Sequence, residues 1–260
     1  MKTDDIRSGF LRQMAAIAEA HRPSEARFFS RLAKAPARVA TSPELLGDIH
    51  LVYQGAMHAT RAAVYHLPHL DTPALRQRKL RIFIDDDGLP NGDTHHYQLT
   101  RVFRNIGARL KLDDEEFGSV DELCPKVDPR LAHFMRQVQL LYPRSHGAWC
   151  IVEMLSVEWM GALADALAAH FPTVREEAYF SECFDNKVEE RHAEEALSIA
   201  ADTLCLRRGL AEQTFSDAQT MACALDDVWQ LLDDIVVKFA AGIDANSTCA
   251  RAAAHEDGQG

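Results

Sequence analysis

Missing from this chain are a basic stripe and any apolar run long enough to cross a bilayer. Its opening residues, Met1-Lys2-Thr3-Asp4-Asp5, lack the apolar stretch of an export signal, so the cytoplasm is the expected home and no membrane is expected as partner. A formal net charge of −11 and a pI near 5.5 exclude nucleic acid and anionic lipid as main partners, because both are held by clustered Lys and Arg. The six cysteines, Cys124, Cys150, Cys183, Cys205, Cys223 and Cys249, stand singly with no Cys-x-x-Cys, which excludes both a disulfide framework and a zinc-binding pair. Alternating strand patterns and internal repeats are absent as well.

What is present is helical periodicity almost throughout, with 47% hydrophobic residues over 260 positions, enough for one substantial core. The expected fold is all-α: a single-domain bundle of about eight helices over residues 1–243, followed by a disordered tail over 244–260, where the composition turns small and polar. Start signals are explicit at Thr41-Ser42-Pro43-Glu44 and Thr72-Pro73, which pair a hydroxyl cap with a proline in the first turn. The helix opened by Thr72-Pro73 should end at Asp85-Asp86-Asp87, ahead of Gly88, Pro90 and Gly92. The segment 111–127 reads as an acidic loop with at most a short helical turn, and a long helix is expected from about 173 to 206.

Chemistry concentrates in residues 185–192, Asp-Asn-Lys-Val-Glu-Glu-Arg-His. On one helix, Asp185, Glu189 and His192 fall at i, i+4 and i+7, and Glu189/His192 form the Glu-x-x-His pair that helical di-metal carboxylate proteins aim into a bundle. The plainer alternative is a solvated acidic face with Glu–Arg and Glu–Lys pairs. Against it, the three residues lie beside the apolar stripe marked by Phe184, Val188, Ala193, Ala196 and Ala200, where carboxylates without a cation would repel each other out of water.

Three further places supply ligand candidates. Three carboxylates at a helix C-terminus face the negative end of the macrodipole, and Asp87, beside Gly88, is the chosen ligand with Asp86 second. In Asp93-Thr94-His95-His96, Asp93 reads as the N-cap, and one of His95 and His96 must face inward beside Leu99, Val102 and Phe103. Glu153, alone among Trp149, Ile151, Val152, Met154 and Leu155, must be paired or ligating, with Glu158 as the alternative buried acid.

With Ile84-Asp85-Asp86-Asp87-Gly88, His95-His96-Tyr97-Gln98-Leu99, Glu153 and the distal Tyr179-Phe180 and Asp185 to His192 in hand, the chain resembles the haem-oxygenase-like di-iron oxidase family over about residues 75–205. The resemblance implies a haem-oxygenase-like fold and a ligand set of Asp87, His95 or His96, Glu153, Asp185, Glu189 and His192. This chain has Asp185 where the family usually has His, and Asp87 where it usually has Glu. The implied cofactor is two iron ions, with manganese tolerated at one site, and the implied activity is O2-dependent oxidation of a small polar, amino-acid-like metabolite: N-oxygenation, desaturation or C–C cleavage. Glu153 is the expected bridge, since it comes from a helix separate from the other ligands. An external electron donor and a homodimer are compatible with this reading.

Two rival readings keep the fold. One is a thiaminase-like or cofactor-binding protein with Cys150 or Cys183 as nucleophile, and the other is a helical metal-binding protein without catalysis.

Overall fold

Side-chain caps begin the helices where the sequence placed its start signals. Ser42 accepts from the Leu45 N–H and Thr72 from the Leu75 N–H, each with proline in the first turn. The structure, a computed structural model, describes residues 3–67, 72–88, 92–112, 118–185 and 187–256; the side chains of Thr3, Glu182, Cys183, Asp185 and residues 243–256 are outside that description. Among the described residues the fold is all-α, a single-domain helical bundle as expected, and no helix is long and apolar enough to cross a membrane.

The α-helices run α1 Thr3–Ala20, α2 Arg27–Lys34, α3 Ala37–Ala40, α4 Pro43–Val64, α5 Pro73–Asp86, α6 His95–Asn105, α7 Val120–Leu123, α8 Pro129–Leu141, α9 Gly147–Ala168, α10 Ala178–Asp185, α11 Val188–Leu206 and α12 Ala211–Glu256. The number exceeds the eight expected because short pieces such as α3 and α7 carry too little periodic pattern to stand out. Ser119 and Glu122 close a reciprocal capping box on α7, inside the segment expected to be mostly loop. The last helix, α12, takes in the small polar residues from 244 as far as Glu256.

Helix α9 is the axis of the bundle. Trp149, Cys150, Ile151, Leu155 and Leu163 on it are fully or almost fully buried, and α1, α2, α11 and α12 pack around it. At its first residue the neighbouring backbone comes very close: a Cβ on Gly147 would fall 1.9 Å from the Thr214 carbonyl oxygen of α12. Helix α5 is joined to α11 by Arg78, whose guanidinium holds both oxygens of Glu195 at 2.5 and 3.0 Å and reaches Asp202 at 2.9 Å. Arg7 of α1 reaches the same Asp202 at 2.7 Å.

Two breaks shape the site. Gly88 adopts φ +68 and receives the Gly92 N–H at 2.5 Å, so the chain turns out of α5 directly after Asp87. The second break corrects the sequence reading: the helix expected over 173–206 is two helices, α10 and α11, with Lys187 between them at φ 50. Asp and Asn side chains compete for nearby backbone groups and weaken a helix, and the sequence ahead of Lys187 is Asp185-Asn186. Asp185 therefore does not share a continuous helix with Glu189 and His192.

The close approach at Gly147 predicts opposite outcomes for two Gly→Ala substitutions. Gly147→Ala should lose about 1–3 kcal/mol of unfolding free energy by overpacking. Gly9→Ala, with nothing within 4 Å of its Cβ on α1, should gain about 0.5–1 kcal/mol from helix propensity. Urea unfolding of both variants checks this; a neutral Gly147→Ala would contradict the packing of α9 on α12.

Candidate metal centre

Helix α5 ends with Asp86 on the face that already carries Lys79, Ile82 and Phe83, spaced by three and four residues. That face meets α11, where Glu189 and His192 are buried one turn apart, 6% and 2% exposed. From α9, Glu153 enters the same space, and His95 arrives from the first turn of α6. The potential ligand atoms form two groups, each within 4.8 Å: Asp86, His95 and Glu189, and Glu153, Glu189 and His192. Glu189 belongs to both.

Within the cluster, His95 Nδ1 stands 3.5 Å from Asp86 Oδ1 and 3.5 Å from Glu189 Oε1. His192 Nδ1 lies 3.3 Å from Asp86 Oδ1 and its Nε2 3.5 Å from Asp85 Oδ2. These are contacts of charge without aligned hydrogen bonds, for among the described residues neither ring nitrogen of His192 has a hydrogen-bond partner. The two imidazole rings are 6.4 Å apart. Behind them, the Trp149 indole N–H donates to Glu153 Oε1 at 2.7 Å, and Ser156 Oγ is 3.0 Å from Glu189 Oε2. Tyr179 packs edge-on against His95 at 6.2 Å.

Electrostatics register the crowding. Burial, and then the charge of Asp86, pushes the Glu153 carboxyl up to about 8, and the same two causes raise Glu189. For His192, burial opposes protonation, but Asp86, Glu153 and Glu189 together push it up to about 10. Without a cation the cluster thus retains protons on groups that would otherwise release them.

The residues singled out in the sequence separate here. Asp86, the second choice, stands in the cluster, whereas Asp87 turns away to accept from Arg61 at 2.9 Å and Tyr65 at 2.8 Å. His95 joins the carboxylates. His96 is buried towards α4, its ring 6.4 Å from that of His58, and burial followed by the charge of Arg61 pushes it down to about 3. Thr94, not Asp93, caps α6, and Asp93 pairs with Arg101 at 2.5 Å. Glu153 is the acid inside; Glu158 binds Arg22 at 3.0 Å and Ser24. Glu189, rather than Glu153, is the carboxylate common to both groups. The side chain of Asp185 lies outside the described residues.

A cavity of about 120 Å³ opens beside the cluster, walled by Asp86, His95, Glu153 and Glu189 on one side and by Met57, Val152 and Trp159 on another. Sequence reasoning missed Tyr142, which lines this cavity with a buried hydroxyl lacking a hydrogen-bond partner among the described residues. It missed Arg61 and Ser156 too. An isolated hydroxyl or arginine has no spacing signature, although the apolar stripe through Ile82 and Phe83 did point to Asp86. Cys150 is fully buried, and burial together with Glu153 raises its thiol pKa, the opposite of an activated nucleophile. The Cys183 side chain is outside the described residues.

Sign and window of a pH effect follow for the metal-free protein. Glu153 is raised from 4.5 to about 8 and His192 from 6.5 to about 10, so each contributes stability at low pH that is lost as pH rises through those intervals. The unfolding midpoint, measured with chelator present, should therefore drop between pH 5 and 9. Glu153→Gln, which keeps an acceptor for Trp149, should flatten the drop and raise the midpoint at pH 8. A variant with the wild-type slope would contradict the buried carboxyl. No family model matches this chain and no curated protein matches it, so any activity has to be read from these residues.

Proposed function

We propose that the chain is a two-metal oxidase that uses O2 to oxidise a small molecule held beside Asp86, Glu153 and Glu189, as the resemblance to haem-oxygenase-like di-iron oxidases implies. The observation that carries this reading is the sharing of Glu189 between two three-residue groups next to a cavity. Asp86, His95 and Glu189 would hold one ion, and Glu153, Glu189 and His192 the other. Carboxylates and imidazoles in this mixture suit iron, and also manganese or zinc. The fit is supported by His192, an imidazole with two buried nitrogens and no hydrogen bond among the described residues, and by carboxyl groups that burial pushes towards neutrality. A pair of ferrous ions would supply the electrons that reduce O2, and an external donor would restore them.

The protein's own groups divide the remaining tasks. Loading requires Glu153 and His192 to release the protons they retain without a cation, so affinity should rise with pH. Trp149 fixes the orientation of Glu153, and Ser156, on the cavity wall, that of Glu189. Met57, Val152 and Trp159 keep water from the reacting end of the cavity. Tyr142, on the cavity wall, would serve as a proton donor to a bound molecule, and Arg61, paired with Asp87 at the same cavity, would meet a polar substituent.

Under anaerobic conditions the purified protein should take up close to two equivalents of Fe(II) and develop near-ultraviolet absorbance on admitting O2. Glu189→Ala should lose nearly all iron, and Asp86→Asn, His95→Ala or His192→Ala at least half. Asp87→Asn, His96→Ala and Glu190→Ala should retain it. Elemental analysis and circular dichroism separate ligand loss from unfolding. Saturation at one equivalent or below, or equal loading across the series, would refute the two-metal centre.

A further inference from the structure

We infer that the cavity beside the acidic cluster leads into a second, apolar chamber that receives the body of the substrate, and that this substrate is elongated, with an apolar middle and a hydrogen-bond acceptor at its far end. The chamber lies between α4, α8, α9 and α12 and measures about 50 Å³. Met57, Thr60, Val152 and Trp159 line it and the cavity beside the cluster alike, so these four residues stand between the two, and the inferred route runs past them. Close-packed cores rarely leave voids larger than a water molecule, and this volume exceeds that of one.

Its walls are apolar apart from Thr60 and the polar atoms of Tyr53, Trp159 and Trp229. Tyr53 Oη and Trp229 Nε1 are both buried without a hydrogen-bond partner among the described residues, on side chains only 4% and 5% exposed. Folded proteins seldom leave such groups unsatisfied. An indole N–H can only donate and a phenol can donate or accept, so a molecule serving both presents an acceptor oxygen. The aromatic rings stand close together: Tyr53 to Trp159 at 5.3 Å, Tyr53 to Trp229 at 6.1 Å and Trp159 to Trp229 at 6.3 Å. Trp159 alone of the three also faces the metal cavity. A ligand reaching from the carboxylate cluster past Trp159 would end at Tyr53 and Trp229.

This inference rests on the two-metal reading for which end of the molecule reacts; the chamber itself does not. The test is calorimetric titration of the full-length, Fe(II)-loaded protein under anaerobic conditions with straight-chain carboxylates of four to twelve carbons and their ω-hydroxy analogues. Affinity should climb about fourfold per methylene until the chamber is filled, then level. Ala56→Leu, on a residue that lines only the chamber, should move the plateau to shorter chains. Tyr53→Phe and Trp229→Phe should remove the advantage of the ω-hydroxyl while leaving the plain carboxylates unchanged; a purely structural role would alter stability and not that preference. No dependence on chain length, a plateau unmoved by Ala56→Leu, no ω-hydroxyl preference in the unsubstituted protein, or one surviving both aromatic substitutions would overturn the proposal, the third marking a chamber that serves water alone. Titration of the metal-free protein with 1-alkanols repeats the length test without the cluster. If iron fails to bind and the length dependence persists, the metal reading falls and the chamber stands; if iron binds and length has no effect, the reverse holds.

Discussion

Mutual repulsion governs this structure, between carboxylates buried in the bundle and Asp86, whose side chain keeps 35% of its surface exposed. Asp86, Glu153 and Glu189 converge from three helices on a space whose other walls are aromatic and aliphatic. Each charge costs several kcal/mol to desolvate alone, and bringing them together adds to that cost unless a proton or a cation intervenes. The raised Glu153 carboxyl and the raised His192 imidazole are two responses to one constraint. A divalent ion answers it better, because it compensates all three carboxylates without leaving His192 as the sole counter-charge.

The bundle is arranged to maintain that convergence. Arg78 ties α5 to α11 two turns before Asp86, and its bidentate hold on Glu195 fixes the axial register of the two helices. Arg61 and Tyr65 then draw Asp87 away from the cluster, and Gly88 turns the chain out of α5. On α9, the indole of Trp149 holds Glu153, and the hydroxyl of Ser156, itself on the cavity wall, holds Glu189. Both buried glutamates of the cluster thus have a fixed donor beside them.

Much of this was legible from residue order. Proline-led caps located α4 and α5, a glutamate isolated among apolar neighbours marked Glu153, and the i, i+3 pair marked Glu189 with His192. Rotational phase at helix ends was less accessible. The choice of Asp86 over Asp87 depends on Arg61 and Tyr65, which belong to another helix and draw Asp87 away. His95 and His96 are both largely buried, and what distinguishes them is which neighbour each meets, carboxylates for one and α4 for the other. The helix break at Lys187 was hidden because the apolar stripe resumes in phase on its far side; only the local preference of Asp and Asn hinted at it. Haem-oxygenase-like character and redox chemistry remain proposals drawn from resemblance and from the cluster.

The order in which the ligands occur along the chain has a consequence for how the protein is made. Asp86 and His95 leave the ribosome roughly a hundred residues before Glu189 and His192, and α9 with Glu153 falls between them. Before α11 emerges the chain carries at most three of the five donors, Asp86, His95 and Glu153, and neither group is complete. Only after α11 docks do Glu189 and His192 complete both groups. On the proposed two-metal reading, loading would therefore follow the docking of α11, and a nascent chain stalled before it would leave Asp86, His95 and Glu153 without the carboxylate that both groups share.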